Sequence, residues 1–347
     1  MKKILIFIHI LYLSLFIVCC KNNSENIELE QKTDLLKIYC YESFVTSGLS
    51  EKVISDFENK YSCQVDLKII SDKENILNIV INEKNSPQAD IVIGIKNTQL
   101  YKALDTDVFL SYEPANIHNV SDKNLLLDKK NSLIPYSYSY FAFLYDSGEI
   151  DNPPITFASF QGSTYRDKII LTNPNESVIG NSMILITSHL YRENGFDTFW
   201  LSIKNNIYHL YNNWTEAFTA FQAGEAPIIL SNTTKVAYFY EIEETEKYQV
   251  FIPKEGSFKE IDYIGILKGS QNLFLARRFI DYTISADFQE YIPYTIWMYP
   301  VIKNINLPAG FDECPVPVND LTEYIFDKKD LFSDKWIELW TKIMSGR

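Results

Sequence analysis

Ala89-Asp90-Ile91-Val92-Ile93-Gly94 is the stretch that decides the fold of this chain. A short apolar run without alternation, rich in β-branched residues and closed by glycine, reads as a strand covered on both faces. Working outward, strands are expected at 35–41 and 64–70 and helices at 50–60 and 74–83. Strands alternating with helices of this length imply a parallel sheet with helices on both faces. A long strand at 135–145 leaves this sheet, and Asn152-Pro153-Pro154 then punctuates the chain. A second α/β unit follows, with a strand at 168–171 and helices at 180–193 and 214–223. Gly224-Glu225-Ala226 turns into a strand at 227–230, and a helix is expected at 235–241. The stretch 248–266 crosses back, and helices at 272–285, 286–290 and 334–344 complete the reading. Two sheets joined by two crossing strands make a hinged clamp. A ligand would sit off the carboxyl ends of the strands, and closure would remove it from water.

A chain of 347 residues with 46% hydrophobic and 22% charged side chains is long enough for two domains with ordinary cores. Its start reads as a secretion signal: Lys2 and Lys3, then an apolar run over 4–18 broken only by His9 and Ser14. That run is shorter than the roughly 20 residues of a membrane span. It ends at Cys19-Cys20, followed by the polar stretch Lys21-Asn22-Asn23-Ser24-Glu25-Asn26, which resembles a bacterial lipobox. Cys20 is the expected lipidated residue, with Cys19 in place of the usual small residue. Residues 1–20 are thus read as a lipoprotein signal peptide and 21–34 as a tether, giving a periplasmic or cell-surface protein held to a membrane by lipid.

Without Lys2 and Lys3 the chain carries 30 basic against 45 acidic side chains, a formal −15. Nucleic acid is excluded as a partner, because its binding rests on basic patches. A cationic ligand is compatible. Cys40, Cys63 and Cys314 fit no zinc spacing. A Cys40–Cys63 disulfide and two buried thiols both suit an exported chain. His9, His118, His189 and His209 are scattered, and neither a G-x-S-x-G nucleophile turn nor a paired-histidine metal motif occurs. The reading is therefore not an enzyme, with no cofactor and no metal.

Near the C-terminus stands an aromatic block, Tyr291-Ile292-Pro293-Tyr294-Thr295-Ile296-Trp297-Met298-Tyr299-Pro300-Val301, with Asn306-Leu307-Pro308-Ala309-Gly310-Phe311 close behind. Prolines stiffen the loop around Trp297, which suits a rigid wall for a flat ligand or simple packing on the core. The block resembles one in the thiamine-binding proteins of bacterial ABC importers. The same likeness extends in order through Tyr39-Cys40-Tyr41-Glu42-Ser43-Phe44, the 89–94 strand, Tyr138-Ser139-Tyr140-Phe141-Ala142-Phe143-Leu144-Tyr145-Asp146, Trp214-Thr215-Glu216-Ala217-Phe218, and Gly224-Glu225 through Leu230-Ser231-Asn232-Thr233-Thr234. The 89–94 and 224–225 segments are shared by the wider type II periplasmic binding-protein class.

That resemblance implies an α/β two-lobe type II periplasmic binding protein, a hinged clamp with two crossover strands. Lobe 1 would comprise 35–137 plus 257–347, and lobe 2 138–256. Its ligand would be thiamine or a thiamine phosphate, handed to ABC permease and ATPase subunits. Tyr41, Trp214, Tyr238 and Trp297 match aromatic positions of the family's pocket; a cation over such a face gains roughly 0.5–2 kcal/mol. Asp72 matches an acidic position and is otherwise a solvated loop acid beside Lys73. Ser177 and Val178 match the pair reaching the ligand's tail, with Ser177 alternatively an N-cap. Thr233 and Thr234 precede a helix and could bind the tail or cap it. Three departures stand out: Val45-Thr46-Ser47-Gly48 where the family often has a tryptophan, Asn232 in place of a tyrosine, and Ser137 in place of an aspartate. Within the same fold a ferric-ion binder using Tyr238 and Tyr240, or a polyamine binder, is the alternative. A structural lipoprotein would bind no small molecule saturably.

Overall fold

The structure, a computed structural model, describes residues 34–71, 74–332 and 334–346. The first strand, β1 (Leu35–Tyr41), is followed by the short α1 (Glu42–Thr46) and then α2 (Leu49–Tyr61). Leu49, Val53 and Phe57 recur every fourth residue and are fully buried, so α2 seats one apolar stripe on the sheet. β2 (Gln64–Ile70) pairs parallel to β1. α3 (Ile76–Asn82) starts at Asn75, whose side chain accepts the Leu77 and Asn78 amides. β3 (Ile91–Lys96) pairs parallel to β1, as its unbroken apolar run requires. α4 (Leu100–Asp105) and β4 (Phe109–Leu110) lead to the thirteen-residue β5 (Ile134–Asp146).

β6 (Ile169–Thr172), α5 (Gly180–Ile203) and β7 (Ile207–Tyr211) come next. α5 is broken at Arg192, whose backbone leaves the helical region (φ 51) next to the expected end at 193. α6 (Trp214–Gln222), β8 (Ile228–Asn232), α7 (Lys235–Ile242), β9 (Tyr248–Phe251) and β10 (Lys259–Leu267) follow. The chain then runs through α8 (Leu273–Thr283), α9 (Ala286–Gln289), α10 (Ile292–Thr295), β11 (Tyr299–Pro300), α11 (Thr322–Phe326) and α12 (Lys335–Ser345).

The strands form one path, β2-β1-β3-β10-β5-β8-β6-β7, with β4 beside β10 and β9 and β11 beside β5. The sheet is not wholly parallel. β10 runs antiparallel to β3 and β5, and β5 antiparallel to β8 and β9. The reason is the path of the chain: β5 carries it from one half of the sheet to the other and β10 brings it back, so the neighbouring crossings must oppose. β5 serves both halves, pairing with β10 over 134–140 and with β8 over 141–145.

Buried polar groups tie these layers together. Asp90, 2% exposed, accepts the Lys37, Gln271 and Asn272 amides and the Ser270 hydroxyl, pinning the start of α8 to β3. The Lys259 ammonium on β10 pairs with Asp122 at 3.1 Å and with Asp320, and lies 5.0 Å from the Tyr140 ring centre. Burial pulls the Lys259 pKa down, but Asp320 outweighs it and the net direction is up. At the far end α12 packs on α5 through a tryptophan cluster, with Trp200 and Trp340 edge to face at 5.9 Å and Trp336 against Phe196 at 5.0 Å. Among the described residues Cys40, Cys63 and Cys314 are free, Cys40 buried and Cys63 half-buried rather than both buried; burial pushes the Cys40 thiol up to about 12.

Candidate functional site

A cavity of about 590 Å³ opens where the parallel strands end. Tyr41 closes β1, Lys96 closes β3 and Asn232 closes β8, and all three line it. Tyr41 holds its place by accepting the Ile76 amide at 3.1 Å. Its ring lies against Gly94, where a Cβ would stand 3.1 Å from a ring carbon and where φ is +104. Both the close approach and the backbone angle call for glycine there.

The opposite wall is aromatic. Trp214 opens α6 and stacks on Phe218 at 5.4 Å. Tyr238 of α7 meets Trp297 edge to face at 5.9 Å. Trp297 adopts φ 55, a conformation a bulky L-residue rarely takes. Backbone strain of this kind persists where surrounding structure imposes it, and here it presents an indole to the cavity.

The remaining wall is charged. Glu260 and Asp262 sit two apart on β10 and both line the cavity. Asp262, 6% exposed, pairs with Lys96 and accepts the Ser137 hydroxyl at 3.0 Å. Glu260 accepts the Ser182 hydroxyl at the start of α5. Burial raises the Glu260 pKa, and the Ser182 hydrogen bond and Lys96 only partly oppose that. Ser137 thus stands at the departure noted in the sequence and contributes a hydroxyl to an acid on the neighbouring strand.

Of the residues singled out from sequence, the fold brings Tyr41, Val178, Trp214, Asn232, Tyr238 and Trp297 to one cavity. Ser177, Thr233 and Thr234 do not line it. Ser177 is 7% exposed with its amide bonded to the Asn173 carbonyl, and α5 is capped by Ile179 without a side-chain bond. Thr233 and Thr234 are fully buried. The Thr234 hydroxyl lies 2.8 Å from that of Ser139 and donates to Asn232 Oδ1 at 3.0 Å, so the pair supports Asn232 from beneath. Thr234 makes no side-chain cap bond to α7 either. Asp72 and Cys20, with the signal and tether, lie outside the described residues. Tyr240 is 39% exposed and is not in the lining, so it does not join Tyr238. Sequence reading missed Glu260, Asp262, Lys96, Phe218 and Lys235. Charged residues at alternate positions of a strand expected to be covered were the available signal for the two acids.

An opening flanked by two groups of parallel strands, joined by two opposed crossing strands, defines a two-lobed ligand clamp of the type II periplasmic binding-protein class. Solved structures agree. One described as a periplasmic thiamin binding protein matches with a TM-score of 0.79 at 28% identity, covering 89% of this chain and 96% of that one. The apo ferric ion-binding protein A of Pasteurella haemolytica matches at 0.76 and 14% identity over 90% of this chain and 98% of the other, a likeness of fold alone. The thiamine-binding periplasmic protein of Brucella abortus biovar 1 is 31% identical over 293 residues, 84% of this chain and 86% of that relative. The sequence model for the bacterial extracellular solute-binding proteins matches residues 86–317, and this chain belongs to that family.

Proposed function

We propose that this protein captures thiamine or a thiamine phosphate outside the cytoplasm and hands it to the permease and ATPase subunits of an ABC importer. The carrying observation is the convergence of Tyr41, Trp214, Tyr238 and Trp297 with the acids Glu260 and Asp262 on one cavity. Flat rings and a delocalised cation need aromatic faces, and a cationic group needs nearby carboxylates. The thiamine-binding names of the Brucella relative and of the solved thiamin-binding structure support the same ligand.

The mechanism is capture without bond chemistry. Lobe 1 (35–137 plus 257–347) and lobe 2 (138–256) turn about β5 and β10. Open lobes admit the ligand, the rings stack on it, and the acids orient its cationic part. Cys20 carries the lipid that keeps the mature chain at the membrane. The Tyr238 and Tyr240 pair of the ferric alternative is not brought together, because Tyr240 is exposed and outside the cavity lining.

The test is calorimetric titration of the chain beginning after Cys20, unfolded and refolded first to strip bound ligand, with thiamine and thiamine monophosphate. One-to-one binding to either supports the reading. Absence of heat and of thermal stabilisation with both refutes it, and ferric ion and polyamines become the ligands to titrate.

A further inference from the structure

Lys235 is the cation in the cavity that the capture of a cationic ligand does not explain. It is the first residue of α7, it lines the cavity, and its ammonium lies 4.4 Å from the ring centres of both Phe218 and Tyr238. The other cavity lysine, Lys96, is matched by Asp262, whereas Lys235 makes no ion pair among the described residues. Its nearest acidic influence, Glu243, lies past the end of its own helix. In the same lining, four residues earlier in sequence, Ser231, 4% exposed, has a hydroxyl with no hydrogen-bond partner among the described residues. Asn232, between them in sequence, offers its amide, among the described residues, to the Met298 sulfur at 3.9 Å.

The charges are separated in space. Asp262 pairs with Ser137 on β5, and Asn232 pairs with Phe141 four residues further along that strand. Four residues of strand span about 13 Å. The cavity therefore has an acidic side on β10 and a basic side at the β8–α7 junction. A ligand that is cationic at one end and anionic at the other matches both.

We propose that Lys235, with the Ser231 hydroxyl, is the specificity-determining subsite for a phosphate on the ligand's tail, so that this protein selects phosphorylated thiamine over the free vitamin. The inference rests on the thiamine reading and deepens it. Ser177, Thr233 and Thr234, which the family resemblance assigned to the tail, are withdrawn into backbone and hydroxyl contacts, whereas Lys235 and Ser231 line the cavity. Burial pulls the unpaired Lys235 ammonium down to about 8, and a phosphate would supply the counter-charge it lacks. With free thiamine the ammonium instead faces a ligand of like sign.

The experiment titrates thiamine, thiamine monophosphate, thiamine diphosphate and inorganic phosphate into the wild type, Lys235→Met and Lys235→Arg. Methionine keeps the length of the stem and removes a buried charge, so folding is retained. A charged hydrogen bond in a desolvated site predicts that the wild type prefers the phosphates by about tenfold or more. Lys235→Met should abolish that preference while thiamine binds as well or better, and Lys235→Arg should keep it. Thiamine and its phosphates weakening in parallel in Lys235→Met, or no preference in the wild type, overturns the inference and leaves thiamine capture standing. Failure of every thiamine compound to bind the wild type overturns both, and saturable binding of inorganic phosphate alone reassigns the subsite to an anion site without thiamine selectivity.

Discussion

Replacing Trp297 by alanine removes one wall of the cavity and trims the edge of a small satellite cluster of Val236, Ala237, Phe311 and Cys314, leaving the main core untouched. The indole lines the cavity and touches Tyr238 edge on, while its neighbour Met298 is 6% exposed and anchors the loop. A cation over an aromatic face contributes roughly 0.5–2 kcal/mol, and an offset ring pair about 0.5–1.5 kcal/mol more. Losing both should weaken binding by about 1–3.5 kcal/mol, or about 5- to 400-fold in Kd. Stability should fall only by the packing of a partly buried ring on that small cluster, about 1 kcal/mol, because alanine at φ 55 carries the same backbone strain as tryptophan. Trp297→Gly supplies the control: without a Cβ it relieves about 1 kcal/mol of strain, so it should melt no lower than Trp297→Ala while binding equally weakly. Paired calorimetric titration and thermal melts read both quantities. Binding within about threefold of wild type would refute the wall, and a Trp297→Ala variant that does not fold would make the ring core.

Three further outcomes follow from the charges. Asp262→Asn removes one carboxylate from the cavity wall, so a cationic ligand should bind about tenfold or more weakly, and less so at high salt, by titration. Lys259→Met removes the buried cation shared by Asp122 and Asp320, which stay partly exposed and keep the Asn124 and Thr322 hydrogen bonds, and should destabilise the fold by about 1–2 kcal/mol in chemical denaturation. His189, whose Nδ1 has no partner among the described residues, is held down to about 4 by burial and then by Lys328 and Arg192. The unfolded chain therefore binds more protons than the folded one between about pH 4 and 6.5. Stability should fall as pH drops through that window, by about 1–2 kcal/mol after allowing for partial exposure. His189→Gln should flatten the decline.

The first half of the sheet was legible because β1, β2 and β3 are apolar runs of strand length separated by helices with clear stripes. β7 was not, because Ile207–Tyr211 lies at the sheet's edge and leaves Tyr208 and His209 exposed, so no apolar pattern marks it. α1 and α4 are too short, at five and six residues, to show a helical period. At the site, rings could be found from spacing and resemblance, since Trp214 and Trp297 stand where a helix begins and a loop turns. The charged wall could not, because pairing Lys96 with Asp262 and Ser182 with Glu260 joins residues that only the crossing strand brings together. Thr233 and Thr234 illustrate the converse: two hydroxyls before a helix suit a ligand, and the strand pairing of β5 with β8 sets them against Ser139, which the local sequence does not signal.

The tryptophans divide cleanly by place. Trp200, Trp336 and Trp340 are each 3% exposed or less, packed where α12 meets α5, while Trp214 and Trp297 line the cavity. The chain thus carries its own optical reference: two indoles in the cavity that a stacked ring can quench, and three buried away from it that keep a constant signal. Intrinsic emission should fall only in part at saturation and shift toward the blue of the sheltered cluster, and so report occupancy of the cleft without a label.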